Sequence, residues 1–118
     1  RIHPATKTFQ GIRIAINGEM ESLATVLPKA FKSLKVGGVL AVISFHSLED
    51  RIVKRFMRKM AGRPEHRDDK SLLDDRVCVA EMINTKAIFP SKEEVISNPK
   101  SRSARLRVLR KKASPRFL

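Results

Sequence analysis

The sequence predicts an α/β chain, built as the second half of an open sheet with helices packed beside it. Three observations point there. Val39 to Phe45 is apolar at every position except Ser44, a continuous run expected of a strand covered on both faces, as in a parallel sheet. Apolar residues before and after it recur at helical spacing. Only two other stretches, 76–89 and 103–111, have strand character, fewer neighbours than a complete small domain gives a buried strand.

Residues 1–8, RIHPATKT, read as a loop. Pro4 holds His3 extended, and Thr6 or Thr8 can cap the next helix. Phe9, Ile12 and Ile16 then recur at helical spacing, with Arg13 on another face. Asn17-Gly18 reads as a kink or break. Glu19 to Leu34 is helical again, its inner stripe formed by Met20, Leu23, Val26, Leu27, Ala30, Phe31 and Leu34. Pro28 costs about 3 kcal/mol inside a helix, which predicts a kink or a restart.

Lys35-Val36-Gly37-Gly38 is a turn that leads into the apolar strand. Ser47 reads as the N-cap of the next helix, with Asp50 three residues on as its capping-box partner. That helix runs to about Met60, with Ile52, Val53, Phe56 and Met60 inward and Arg51, Lys54, Arg55, Arg58 and Lys59 on the surface. Residues 62–75 form a charged loop expected to be mobile. Arg76 to Phe89 reads as a strand pair or one irregular strand. Ser91 and Glu94 stand in capping register for a short helix that Asn98-Pro99 ends. In Ser103–Lys111, Ala104, Leu106 and Val108 alternate with Arg105 and Arg107, a half-buried strand. Residues 113–118 read as a frayed tail, and 1–118 as one partial domain.

With 118 residues there is room for one modest core. The single cysteine excludes an internal disulfide and fits a reducing compartment; within Val77-Cys78-Val79-Ala80 it is expected to be a small buried hydrophobe. No apolar run is long enough to span a bilayer, and the first residues lack the apolar core of a signal peptide. The chain starts without Met, as a piece of something longer would. Its formal net charge of +13 points to a polyanion, nucleic acid or ribonucleoprotein rather than lipid, through counterion release. Without Trp or Tyr, bases can stack only on Phe, His or Arg.

In open α/β sheets ligands bind outside the carboxyl ends of the strands. Ser44, His46 and Ser47 occupy such an end, before a helix whose N-terminus favours anions or polar groups. A capping motif with a solvated histidine is the plain alternative, and nothing marks His46 as a general base. His3 to Gln10 is dense in hydrogen-bonding groups. Asn98 to Arg105 has the cations and hydroxyls of a phosphate-contacting loop, or of an ordinary basic surface. The histidines and the cysteine lack metal-ligand spacing, so no metal is expected. No G-x-S-x-G elbow and no phosphate-binding glycine loop occurs.

HPATKTFQ (3–10), GGVLAVISFHSLEDRIVKRF (37–56) and NPKSRSARLR (98–107) together resemble the closing part of one family, the S-adenosylmethionine-dependent methyltransferases that modify N4 of a cytosine in small-subunit ribosomal RNA. The resemblance implies the C-terminal half of a class I (Rossmann-like) methyltransferase sheet, with the final strand antiparallel. It implies that S-adenosyl-L-methionine is held upstream, in a missing N-terminal half of the same enzyme, so no cofactor-binding residue is assigned here. It transfers the substrate side onto His3, Thr6, Thr8, Gln10 and Arg13; onto Ser44, His46, Ser47, Asp50 and Arg51; and onto Asn98, Arg102, Ser103 and Arg105. None of these is firmly assigned as catalytic; Ser44 and His46 are expected to position substrate, and Arg51 either to do so or to pair with Asp50 or Glu49. Gly11 and Val36 depart from the family's common Ala and Pro. The implied partners are small-subunit rRNA and the ribosomal subunit, with no membrane. The implied location is the cytoplasm in a bacterium, or the mitochondrial matrix or chloroplast in a eukaryote. A non-catalytic basic RNA- or ribosome-binding module is the competing class, and a purely structural interaction protein a third.

Overall fold

A computed structural model describes residues 6–65 and 78–114, with the backbone alone over 6–17. The observed class is α/β. In chain order the elements are α1 (Thr6–Ser33), β1 (Val39–Ser44), α2 (Ser47–Met60), β2 (Ala80–Met82), α3 (Lys92–Ser97), a 3-10 helix (Pro99–Ser103) and β3 (Arg105–Lys111).

α1 corrects the expected two helices. It is one helix of 28 residues that runs through both Gly18 and Pro28. The stripe carrying Leu27 and Phe31, at 2% and 0% exposure, holds it down, and that burial outweighs the local cost of proline. Its last turn is then tied to the sheet. Lys111 donates from Nζ to the carbonyls of Phe31, Lys32 and Leu34 at 3.1, 3.2 and 2.7 Å, and the same ammonium lies 5.2 Å from the Phe31 ring centroid. A cation on the last carbonyls is the favourable end of the helix dipole.

The turn into β1 needs both glycines. Gly37 has φ +91°, and a Cβ on Gly38 would stand 2.8 Å from the Lys35 carbonyl oxygen. β1 then pairs antiparallel with β3, Val39 opposite Arg110 through Ser44 opposite Arg105. β2 pairs antiparallel with the other edge of β3, so the strand order is β1-β3-β2. The antiparallel last strand agrees with the implication of the family resemblance. The residue-based expectation of a parallel sheet covered on both faces does not hold among the described residues. Val39 and Ile43 are 46% and 60% exposed, whereas Ser44 on the opposite face is buried.

β3 turns its cations inward. Arg107 and Lys111 are buried together with Leu109, while Leu106 and Val108 lie half-buried on the opposite face. The strand alternates as expected, but hydrophobicity does not choose the inner face here, because each inward cation finds a partner on a helix. α2 packs against α1 and all three strands. Its buried residues are Val53, Met57 and Met60; Met57 adds to the expected inward set, with Ile52 and Phe56 half-buried. Leu27, Phe31, Val79, Ala80, Met82 and Leu109 complete the core, and the Phe31 and Phe56 rings meet edge to face at 6.1 Å.

The 76–89 stretch resolves into less strand than expected. β2 has three residues, and isolated bridges join Ala61 to Cys78 and Ile88 to Leu106. Cys78 is exposed, correcting its assignment to the core; Val79 and Ala80 beside it are the buried residues. Arg76, Val77, the 66–75 part of the charged loop and most of the expected tail lie outside the described residues. No described helix is long and apolar enough to cross a membrane.

Candidate functional site

The carboxyl end of β1 is where the sequence-selected segments converge. Ser44 stands opposite Arg105 in the β1–β3 register, so the segment 44–51 and the segment 98–105 share one rim of the sheet. His3 lies outside the described residues, as do the side chains of Thr6, Thr8, Gln10 and Arg13 on α1.

α2 opens differently from expectation. The N-cap is His46, not Ser47, with extended φ −133° and ψ 142°. Its Nδ1 accepts from the Leu48 N–H at 3.1 Å, and its carbonyl accepts the Asp50 N–H at 3.0 Å. Glu49 reaches back, accepting from the Phe45 N–H at 3.3 Å. The bond from Leu48 occupies one of the amides that a helix start leaves unpaired, the bond from Asp50 is the first within the helix, and the bond from Phe45 fixes the residue before the cap. The imidazole thus fills the acceptor role expected of the serine hydroxyl. With Nδ1 used as acceptor, the neutral ring carries its proton on Nε2. That tautomer leaves an N–H donor on an exposed side chain.

Asp50 is not a capping residue but half of an ion pair. Arg107 Nε and Nη2 donate to Asp50 Oδ1 and Oδ2 at 2.7 and 3.0 Å. The hydrogen bond from Arg107 holds the Asp50 carboxyl below its usual range, against an opposing effect of burial, with the charges of Arg107, Arg105 and Lys54 adding to it. Arg107 Nη1 is buried without a partner among the described residues. The pair fastens the first turn of α2 to the central strand. Asp50 is therefore engaged with Arg107 and not with Arg51, which is exposed.

The other side of the rim is held by α3 and the 3-10 helix. Ser91 caps α3 as expected, its Oγ accepting from the Glu94 N–H at 3.1 Å. Asn98 ends α3 and starts the 3-10 helix, and Ser101 Oγ donates to its carbonyl at 2.8 Å. That packing leaves Asn98, Lys100, Arg102 and Ser103 exposed and Arg105 half-buried. Of the second segment, His46, Ser47 and Arg51 are exposed, while Ser44 is 4% exposed. The rim thus exposes His46, Ser47 and Arg51 on one segment and Asn98, Arg102 and Ser103 on the other, keeps Arg105 half-buried, and turns Ser44 and Asp50 inward.

Two residues here are not marked by the sequence. Alternation places Arg107 on a face of β3 but does not name its partner. Phe89 is 59% exposed and lies under the Arg105 guanidinium, with Cζ 5.7 Å from the ring centroid. The dipeptide Phe89-Pro90 is the available signal, because a residue before proline is held extended. Phe89 also lines an apolar cleft of about 160 Å³ with Ile43, Ile88 and Leu106, where Glu94 adds a carboxylate. Among the described residues, no cluster of His, Cys, Asp and Glu could hold a metal ion.

The arrangement is a basic rim with hydrogen-bond donors and an exposed aromatic ring, suited to a phosphate-bearing ligand. The model of the MraW methylase family matches residues 1–112. The chain is 51% identical over 112 residues to the ribosomal RNA small subunit methyltransferase H of Nitrosococcus oceani, an alignment covering 94% of this chain and 36% of that protein. The proteins of the same name from Ruegeria sp. and Synechococcus elongatus are 46% and 49% identical, over 92% of this chain and 33% and 31% of their own lengths. The chain therefore spans about a third of the length of the curated relatives it matches, and these matches agree with the class I methyltransferase fold expected from the sequence. The chain belongs to the MraW methylase family.

Proposed function

We propose that this chain forms the substrate side of an S-adenosylmethionine-dependent methyltransferase acting on the exocyclic N4 of a cytosine in small-subunit ribosomal RNA. The observation that carries the reading is the convergence of 44–51 and 98–105 on one basic rim through the Ser44–Arg105 register, in a chain of net charge +13 whose relatives are named for methylating that RNA. His46, Ser47 and Arg51, with Asn98, Arg102, Ser103 and Arg105, hold the RNA at the carboxyl end of β1.

The described residues do not fit the cofactor. The Gly37-Gly38 turn lies at the amino end of β1, opposite the ligand-binding end, and the His46 ring already occupies the Leu48 amide at the start of α2. The cofactor is assigned to the rest of the polypeptide, where its sulfonium supplies the methyl group. The open sheet face at Val39, Ala41 and Ile83, beside the edge of β1 that is unpaired among the described residues, is where that remainder packs.

Cytosine's exocyclic amine is a poor nucleophile because its lone pair is delocalised into the ring. The task of this half is accordingly orientation of the base and phosphates rather than proton abstraction. The Nε2–H of His46 donates to an acceptor on the RNA.

The test uses this chain and the full polypeptide. The full polypeptide should transfer a methyl group to cytosine N4 in small-subunit RNA, read by nucleoside mass spectrometry. This chain alone should bind RNA but give no heat with S-adenosylmethionine in calorimetry. Measurable cofactor binding by this chain would refute the division of labour. Transfer to another base atom would refute the assigned chemistry. RNA affinity that hardly changes between low and moderate salt would refute phosphate-led binding, whose slope is about −0.7 per phosphate on a single strand.

A further inference from the structure

We propose that Phe89, stacked beneath Arg105, is the platform on which one unpaired RNA base rests; this deepens the RNA-binding reading above and rests on it. Single-stranded RNA is held by aromatic rings that stack bases and by cations that track the backbone. This rim has both. Phe89 is 59% exposed, and Arg105 already lies over its ring at 5.7 Å, a contact that restrains the guanidinium without covering the phenylalanine.

The position of the ring is fixed by the backbone. Ile88, the residue before it, exchanges two hydrogen bonds with Leu106, at 3.0 and 2.9 Å. Pro90, the residue after it, keeps Phe89 extended. An exposed ring held from both sides loses little entropy when a flat partner docks on it. Across the rim, Phe45 is 57% exposed and follows Ser44, the residue opposite Arg105, so the Arg105 backbone lies between the two exposed rings.

The cations complete the case. Lys100 and Arg102 are exposed on the 3-10 helix that leads directly into Arg105, where the phosphates flanking a stacked base would run. Glu94 lines the cleft beside Phe89; a carboxylate there repels phosphate and accepts from an exocyclic amine, which sorts base from backbone.

The test measures binding of this chain to a fluorescent single-stranded RNA by anisotropy across a salt series. Phe89→Leu keeps an apolar side chain of similar bulk but removes the π-face, and should weaken binding about tenfold with the salt slope unchanged. Phe89→Trp should keep the affinity. Because the chain contains no other tryptophan, its indole emission should be quenched as RNA saturates the site. Arg105→Gln should weaken binding and also reduce the salt slope by about one phosphate contact. Wild-type affinity in Phe89→Leu, or emission from the Phe89→Trp indole that RNA leaves unchanged, overturns the platform while leaving the basic rim standing. A wild-type chain that binds no RNA overturns both.

Discussion

Replacing His46 with alanine strips the acceptor from the Leu48 amide and should cost about 1 kcal/mol in urea denaturation, the usual penalty for a lost N-cap. Asparagine should recover most of that, because its Oδ1 can take the place of Nδ1. It lacks the Nε2–H, so His46→Asn in the full polypeptide separates the two uses of the ring. Stability near wild type with reduced methyl transfer is the expected result, and unchanged turnover would leave His46 as a cap alone. Asp50 and Arg107 form the second residue-scale device. Arg107→Met leaves a carboxylate with 14% of its side chain exposed facing no cation, and removing one member of such a pair costs about 3–5 kcal/mol. The pH dependence has a definite sign. The folded-state pKa of Asp50 is depressed, so its contribution is complete above the unfolded carboxylate value near 3.9. It is lost as pH falls below that value toward the folded pKa. Thermal melts of wild type against Asp50→Asn should therefore converge as the solution is acidified through about pH 4.

At the scale of elements, Lys111 is the join between α1 and the sheet. Its ammonium satisfies three carbonyls at the end of α1, and Lys111→Met should destabilise the fold by about 1.5–3 kcal/mol, the range for hydrogen bonds to a charged group. The loss should appear first as faster amide exchange in the last turn of α1. α1 also shows why local rules misplace a boundary. Gly18 and Pro28 are correctly unfavourable within a helix, but Leu27 and Phe31 sit on either side of Pro28 and bury against α2 and the sheet. The periodic stripe is legible in the sequence; the continuity of the helix depends on packing that no window of sequence contains. The short helix α3 matches its expected bounds closely, from Ser91 to Asn98-Pro99, because capping and proline chemistry are local.

For the whole molecule, the notable feature is a sheet with one finished face. Val39 and Ile43 on β1 and Ile83 after β2 are 46%, 60% and 46% exposed, and among the described residues β1 pairs on one side only. Exposed apolar strand edges template association. This chain alone should self-associate as concentration rises in sedimentation velocity. Val39→Lys combined with Ile43→Lys should suppress that without loss of the far-ultraviolet circular dichroism signal; association unaffected by the pair would place the sticky surface elsewhere.

What the sequence determined by itself was local or chemical: the apolar strand, the amphipathic helices, the cap of α3, the excess of positive charge, and the three motifs that mark the family. Tertiary structure alone decided which side of β3 faces the core, that Asp50 belongs to Arg107, that Cys78 is exposed, and that Phe89 lies beneath Arg105. The reason is the same in each case. Period and propensity say which residues share a face, but a buried cation or an exposed ring depends on partners beyond the local window, 57 residues away in the chain for Asp50 and Arg107. Only the folded arrangement brings those partners within reach.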